Sequence, residues 1–209
     1  MSTAFLALAA LSTVVLIVLV CYVMPRARDL RVLSSFRAFG SAVELRFPFY
    51  RGRTDDVVNL SGRLAEKIGL GSRDRRDLAL AARLRDLGLV STPYQTLNGR
   101  AWDDWTDAER QAYDRHAEVG ADMLERIPSV AHLAPIVRLH HDRFDTPSPG
   151  VGPSSRVLAV VAGYVRALHR EGQDAARHHL HRESGSAYDP DLVRELLHLV
   201  ERNDFRPRR

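Results

Sequence analysis

Apolar residues recur at three- and four-residue steps through most of this chain, and nowhere do they alternate over a stretch long enough to make a convincing strand. Val57, Leu60, Leu64 and Ile68 form one such series, closed by Gly69. Leu78, Ala81 and Ala82 form the next helix face, which Arg85 shares and which stops near Gly88. Thr106 and Glu109 have capping-box spacing and open a helix expected to reach Arg126, where Ile127-Pro128 breaks it. Further helices are expected over 129–141, 154–170 and 174–181, and a last one capped by Asp189 and running to about Arg202. Residues 91–104 and the Pro/Gly-rich 146–153 read as loops. The pattern predicts an all-α domain without an internal repeat. A chain of 209 residues suits one ordinary domain, and 45% hydrophobic with 27% charged residues excludes a disordered or collagen-like chain. Its single cysteine, Cys21, excludes an intrachain disulfide. The net charge of +4 is dispersed among 30 basic and 26 acidic residues, without the concentrated stripe of a nucleic-acid footprint, so no nucleic acid is expected as a partner.

The amino terminus is different. Ala4 to Met24 is an uncharged run of 21 residues. As one α-helix it would extend about 30 Å, the thickness of a bilayer core. A secretory signal should begin with basic residues and end at a small-residue cleavage site, and this run does neither. A lipoprotein reading of Cys21 fails on Val20, where a small residue is wanted. The expectation is a single transmembrane helix in residues 1–24, followed by a basic juxtamembrane segment over 25–41, the helical domain over 42–203 and a basic tail over 204–209. Arg26, Arg28, Arg31 and Arg37 all follow the run, which places the amino terminus outside and the domain on the cytoplasmic face of the inner membrane.

Four residues of the helical part stand out as metal-ligand candidates: Asp86, His116, His140 and His141. Imidazole and carboxylate suit iron, manganese or zinc. Asp86 ends an Ala/Leu-rich helix, His116 shares a face with Ala112, Val119 and Met123, and His140 and His141 follow Ile136 and Val137 by one turn. A single histidine on an apolar face is more often a hydrogen-bonded core residue than a ligand. His178, His179 and His181 lie close together with no acid or cysteine beside them and read as a solvated face. Trp102 and Trp105 read as helix-edge packing.

Six segments, in order, resemble the HD-GYP branch of the HD phosphohydrolase superfamily. Residues 44–53, Glu-Leu-Arg-Phe-Pro-Phe-Tyr-Arg-Gly-Arg, resemble its entry segment E-x-R-D-P-Y-T-x-G-H. Arg85-Asp86-Leu87-Gly88-Leu89 falls where that family has H-D-I-G-K. Residues 115–121 resemble R-H-P-x-x-G-A, and residues 140–145 resemble H-H-E-R-x-D. Residues 156–160 resemble R-I-L-A-V, and residues 188–193 resemble F-D-P-x-L-V. The resemblance covers about 42–200 and implies an HD-domain-like helical bundle. It also implies a cluster of two or three metals, usually iron, that activates water to hydrolyse cyclic di-GMP.

The departures from that pattern are concentrated. The family's first histidine is Arg53 here, the histidine of the His-Asp pair is Arg85, and the late aspartate is Ala162. Leu89 replaces a phosphate-binding lysine, and Ser148-Pro149-Gly150 replaces the G-Y-P signature. On the resemblance, one metal position keeps only Asp86, while its neighbour keeps Asp86, His116, His140 and His141. Arg53 and Arg85 would then occupy the vacated position with guanidinium charge. Asp86 would be the catalytic group of an active enzyme, and Arg143 and Asp145 are candidates for substrate contact or for a pair that fixes their loop.

The sequence therefore points to a membrane-anchored, catalytically degenerate HD-GYP-like domain that binds a nucleotide such as cyclic di-GMP, or a signalling protein. Two readings stand beside it: a metal-dependent phosphohydrolase using the one retained site, and a structural module for self-association. The cofactor is one divalent metal (iron, manganese or zinc) or none.

Overall fold

A computed structural model describes residues 3–25, 27, 38–40, 42, 43, 45, 46, 52–99 and 104–202. The juxtamembrane arginines, Glu44, Phe47 to Arg51, Trp102 and the tail from 203 lie outside the described residues. The chain divides into two units, Met1–Ala38 and Phe39–Arg209.

In the first unit the apolar run is α-helical over Thr3–Val18, helix α1, and then widens to a π-helical turn over Leu19–Val23. The single spanning helix expected from the sequence is not found. Among the described residues no helix is long and apolar enough to cross a membrane. The physical reason is the change of ladder at Val18: sixteen α-helical residues rise about 24 Å, short of the roughly 30 Å that a bilayer core requires. Inside this segment Thr13 donates its hydroxyl to the Ala9 carbonyl at 2.9 Å, so the helix satisfies that polar side chain itself.

The second unit is all-helical, with no strand among the described residues and one isolated bridge between Ser184 and Tyr188. Helix α2 spans Arg53–Lys67 and α3 spans Ser72–Leu84. A 3-10 turn over Leu87–Ser91 follows, and then α4, Tyr94–Gly99, which lies within the stretch expected to be loop. Helix α5 is Asp107–Asp114 and α6 is His116–Glu125, where one uninterrupted helix was expected. The expected helix over 129–141 is likewise shorter. It comprises a 3-10 turn at Ala131–Leu133 and α7, Ala134–Arg138, so His140 and His141 lie in the turn that follows. Helices α8 (Pro153–Glu171), α9 (Gln173–Glu183) and α10 (Pro190–Arg202) complete the domain.

The core is built around α8, whose Val157, Leu158, Val160, Val161, Tyr164 and Val165 are buried. Helices α2, α3, α7, α9 and α10 all pack against it. Its apolar stripe is wide enough to face several partners at once, as expected of a central helix. One polar link joins two of these layers: His169 of α8 meets Asp56 of α2 at 2.7 Å, with both side chains largely buried. The capping box is present as read. Thr106 Oγ1 accepts from the Glu109 backbone N–H at 3.3 Å, and the Glu109 carboxylate accepts from the Thr106 N–H at 2.8 Å.

Candidate functional site

A glycine contact assembles the site. Gly88, in the turn after α3, lies directly on the backbone of α6. A Cβ at this position would sit 1.9 Å from the His116 carbonyl oxygen and 2.7 Å from the Gly120 nitrogen, so only glycine fits. Gly120 supplies the other half of the approach, with its own missing side chain facing Gly88. This closeness brings Asp86, two residues before Gly88, beside His116, the first residue of α6. Asp86 Oδ1 lies 3.8 Å from His116 Nε2.

The three histidines converge. One ring nitrogen from each of His116, His140 and His141 lies within 4.8 Å of the others. Backbone carbonyls fix two of the rings. His116 Nδ1–H donates to the Tyr113 carbonyl at 2.5 Å, and His140 Nδ1–H donates to the Val137 carbonyl at 2.6 Å. A carbonyl can only accept, so each of these neutral rings carries its hydrogen on Nδ1 and keeps a lone pair on Nε2. His116 Nε2 and His141 Nε2 are 3.3 Å apart.

Burial keeps the rings uncharged. It lowers the pKa of His116 against the opposing pull of Asp86. His140 is pushed down to about 3, by burial first and by His116 second. His141 is also held well below the usual histidine range, by the protein packed around its ring and then by His140 and His116, although part of its surface opens to solvent. Asp86 is the opposite case. Burial works against its charge, but Arg85, followed by His116, His140 and Arg53, outweighs this and lowers its pKa. The result at neutral pH is one carboxylate facing three neutral imidazoles, a donor set whose chemistry fits a borderline divalent metal.

The arginines take the other side. Arg85 Nη2 reaches Asp86 Oδ2 at 2.6 Å, and its Nη1 donates to the Ala82 carbonyl at 2.8 Å. The side chain is only 6% exposed, and this carboxylate offsets the cost of burying its charge. Arg53, the first residue of α2, is also buried and near enough to lower the Asp86 pKa. Both line a cleft of ≈ 190 Å³ together with Asp86, His140, His141, Ala162 and Arg143. His116 lies behind this surface, fully buried. Arg143 holds Asp145 in a two-point pair at 2.9 and 2.7 Å, and Asp145 is not among the cleft-lining residues.

Sequence reasoning passed over Arg166, Tyr188 and Tyr113, which also line the cleft. For Arg166 a signal was present, because it stands four residues after Ala162 on the same face of α8. For Tyr188 the signal was a hydroxyl added where the resembled motif has phenylalanine. Of the other histidine group, His178 and His181 are exposed, while His179 meets the Tyr188 hydroxyl at 3.1 Å. Trp105 is buried edge-on against Tyr113, with ring centroids 5.6 Å apart.

The HD domain family profile matches residues 37–192. Among characterised proteins, the chain is similar to the cyclic di-GMP phosphodiesterase response regulator RpfG of Xanthomonas campestris pv. campestris (strain 8004). The two are 29% identical over 175 residues, which is 75% of this chain and 45% of that protein. It is also similar to 3'3'-cGAMP-specific phosphodiesterase 3 of Vibrio cholerae serotype O1 (strain ATCC 39315 / El Tor Inaba N16961). That match is 27% identical over 108 residues, 52% of this chain and 23% of the relative. The chain therefore spans less than half the length of either relative.

Proposed function

The chain belongs to the HD domain family, on its HD-GYP-like side, and from that premise we propose that it is a phosphoester-binding member with one retained metal site and no phosphodiesterase turnover. The observation that carries this reading is the division of Asp86. Its Oδ1 faces the histidines while its Oδ2 is bonded to Arg85. His116, His140, His141 and Asp86 Oδ1 would hold the metal, which in such a site supplies Lewis acidity toward a phosphoryl oxygen and toward water. Arg53 and Arg85 stand where a second metal would need ligands, and Ala162 offers none.

This chain's own groups divide the remaining work. The Tyr113 and Val137 carbonyls hold the rings of His116 and His140 and fix their tautomers. Arg85 holds Asp86 and keeps it ionised. The guanidiniums of Arg53, Arg85 and Arg143 give the cleft positive charge toward an anionic ligand. The ligand class that this charge favours is a nucleotide phosphoester, in keeping with relatives named for cyclic dinucleotides. Without the two-metal clamp on the attacking and leaving oxygens, binding persists and hydrolysis does not.

We also propose that the apolar amino-terminal segment attaches the chain to the cytoplasmic face of a membrane. Support comes from its 21 uncharged residues, from the arginines after it, and from the exposure of Leu8, Leu11 and Val14 to Val18. Carbonate-resistant sedimentation with membranes, lost on deletion of residues 4–24, is the expected result.

The test of the site is elemental analysis of the full chain purified without added metal, with cyclic di-GMP turnover measured in parallel. One metal per chain, lost in His140→Ala, with turnover at the blank level, is expected. A folded chain without metal, even after incubation with iron, manganese and zinc, removes the metal from the reading. Sustained turnover abolished by His140→Ala would instead make the protein a single-site phosphohydrolase.

A further inference from the structure

The wall of the cleft formed by α8 and the segment before α10 carries a polar group that the metal site does not use. Tyr188 is buried and its hydroxyl lies against Gly163 of α8. A Cβ on Gly163 would be 2.0 Å from that oxygen and 2.6 Å from Cζ, so the phenol occupies the space that the glycine leaves. Arg166, one turn further along α8, is near enough for its charge to act on the phenol, and both residues line the cleft that Asp86, His140 and His141 face.

The donors can be assigned one by one. Arg182 Nη2 contacts His179 Nδ1 at 3.1 Å. A guanidinium has no acceptor, so Nδ1 must bear the lone pair. The hydrogen of the neutral ring is then on Nε2, which points at the Tyr188 oxygen at 3.1 Å and donates to it. The phenol oxygen thus accepts from His179, its hydrogen-bond partner among the described residues. The phenol hydrogen remains to be given to an acceptor. Burial raises the Tyr188 pKa, which keeps that hydrogen in place at neutral pH.

We infer that Tyr188 donates this hydrogen to a phosphoryl oxygen of the ligand in the cleft, with Arg166 as the accompanying charge and His179 as the residue that orients the phenol. The inference rests on the reading of the cleft as a phosphoester site and adds to it a second anchoring point, away from the histidines. The cleft volume of ≈ 190 Å³ falls below the roughly 300 Å³ at which pockets begin to enclose whole drug-sized ligands. The enclosed part therefore suits a phosphoryl group, with the rest of any nucleotide outside. Free phosphate and the phosphodiester of a nucleotide share this chemistry.

The test uses the full chain in detergent, supplied with Mn²⁺, with inorganic phosphate and cyclic di-GMP each titrated by calorimetry. Tyr188→Phe keeps the ring and removes only the hydroxyl. It is expected to weaken binding about tenfold or more, the usual scale for a hydrogen bond to a charged acceptor. Arg166→Gln is expected to weaken it at least as much, and both variants should keep the metal content of the unchanged chain. A loss seen with cyclic di-GMP alone identifies the bound group as a nucleotide phosphodiester, and a loss seen with inorganic phosphate alone identifies free phosphate. Unchanged affinity for both probes in both variants overturns the inference, as does a failure of the unchanged chain to bind either probe. A chain that binds no metal but binds a probe in a Tyr188-dependent way keeps the inference and removes only the metal from the preceding reading.

Discussion

The two sides of the cleft use opposite chemistry around one shared carboxylate. On the histidine side, burial keeps His116 and His140 neutral, backbone carbonyls aim both, and the more exposed His141 brings a third ring nitrogen to them. On the arginine side, Arg53 and Arg85 bring permanent positive charge into buried positions, and Asp86 pairs with Arg85. One side is built to accept a cation and the other already contains its own. The Arg85 guanidinium brings permanent charge and hydrogen bonds that hold it in place, on Asp86 and on the Ala82 carbonyl.

Breaking the contact that holds the two sides together should have the largest effect. Gly88→Ala places a methyl group 1.9 Å from a carbonyl of α6, and neither neighbour is a side chain that can rotate away. The expected cost is about 3 kcal/mol, the upper range for overpacking, read as a lower midpoint in urea denaturation. Metal and phosphate binding should weaken together. Loss of only one of them would mean that the two sides are not assembled through this contact.

This dependence also explains what could be read from the sequence and what could not. The apolar faces of α2, α3 and α8 were legible, because Leu60, Leu64, Leu78, Ala81 and Val157 face a core that any helix of that periodicity would seek. So was the Thr106–Glu109 cap, which is purely local. Both helices that ended earlier than expected do so at the site. The Tyr113 carbonyl is taken by the His116 ring and the Val137 carbonyl by the His140 ring, each three residues on. Helix α5 ends at Asp114 and α7 at Arg138, in the turns that deliver these imidazoles. Periodicity continues through both places, so nothing in the apolar pattern marks them. The four ligand candidates were legible as residue types, and the Arg85–Asp86 pair as an adjacent charge pair. The setting of Tyr188 was not, because its partner His179 comes from α9 and its hydroxyl fits against α8 only through the missing side chain of Gly163.

Separating the sides is the next largest effect. His140→Ala removes one ligand from the histidine group and leaves every arginine in place. Metal affinity should fall about 100-fold or more, measured by competition with a chromophoric chelator, since even outer-shell changes cost 10–100-fold. Phosphate affinity of the metal-free chain should stay unchanged. A parallel loss of both would show that the arginine side depends on the histidine side.

Arg85→Gln tests the reverse dependence on a smaller scale. The amide keeps much of the side-chain volume but releases Asp86 Oδ2 from its 2.6 Å partner and removes a buried positive charge beside the metal position. Two opposing consequences are expected in one protein. Metal affinity should rise by roughly tenfold as a cation no longer competes for the carboxylate, and phosphate affinity should fall by a similar factor. If both fall, Arg85 is needed to hold Asp86 in position more than it competes for its charge.

The smallest effect belongs to a buried side-chain hydrogen bond outside the cleft lining. Asp56 and His169 join α2 to α8 at 2.7 Å and are not among the cleft-lining residues. Asp56→Asn retains an acceptor oxygen and should cost only about 1 kcal/mol in urea denaturation, because one hydrogen bond is weakened and not removed. Metal and phosphate affinities should be unaltered. A loss of either affinity would show that the orientation of α2 against α8, which carries Arg53 and Ala162 respectively, is set by this pair. The arginine side would then be a property of how two helices dock, as well as of which residues they carry.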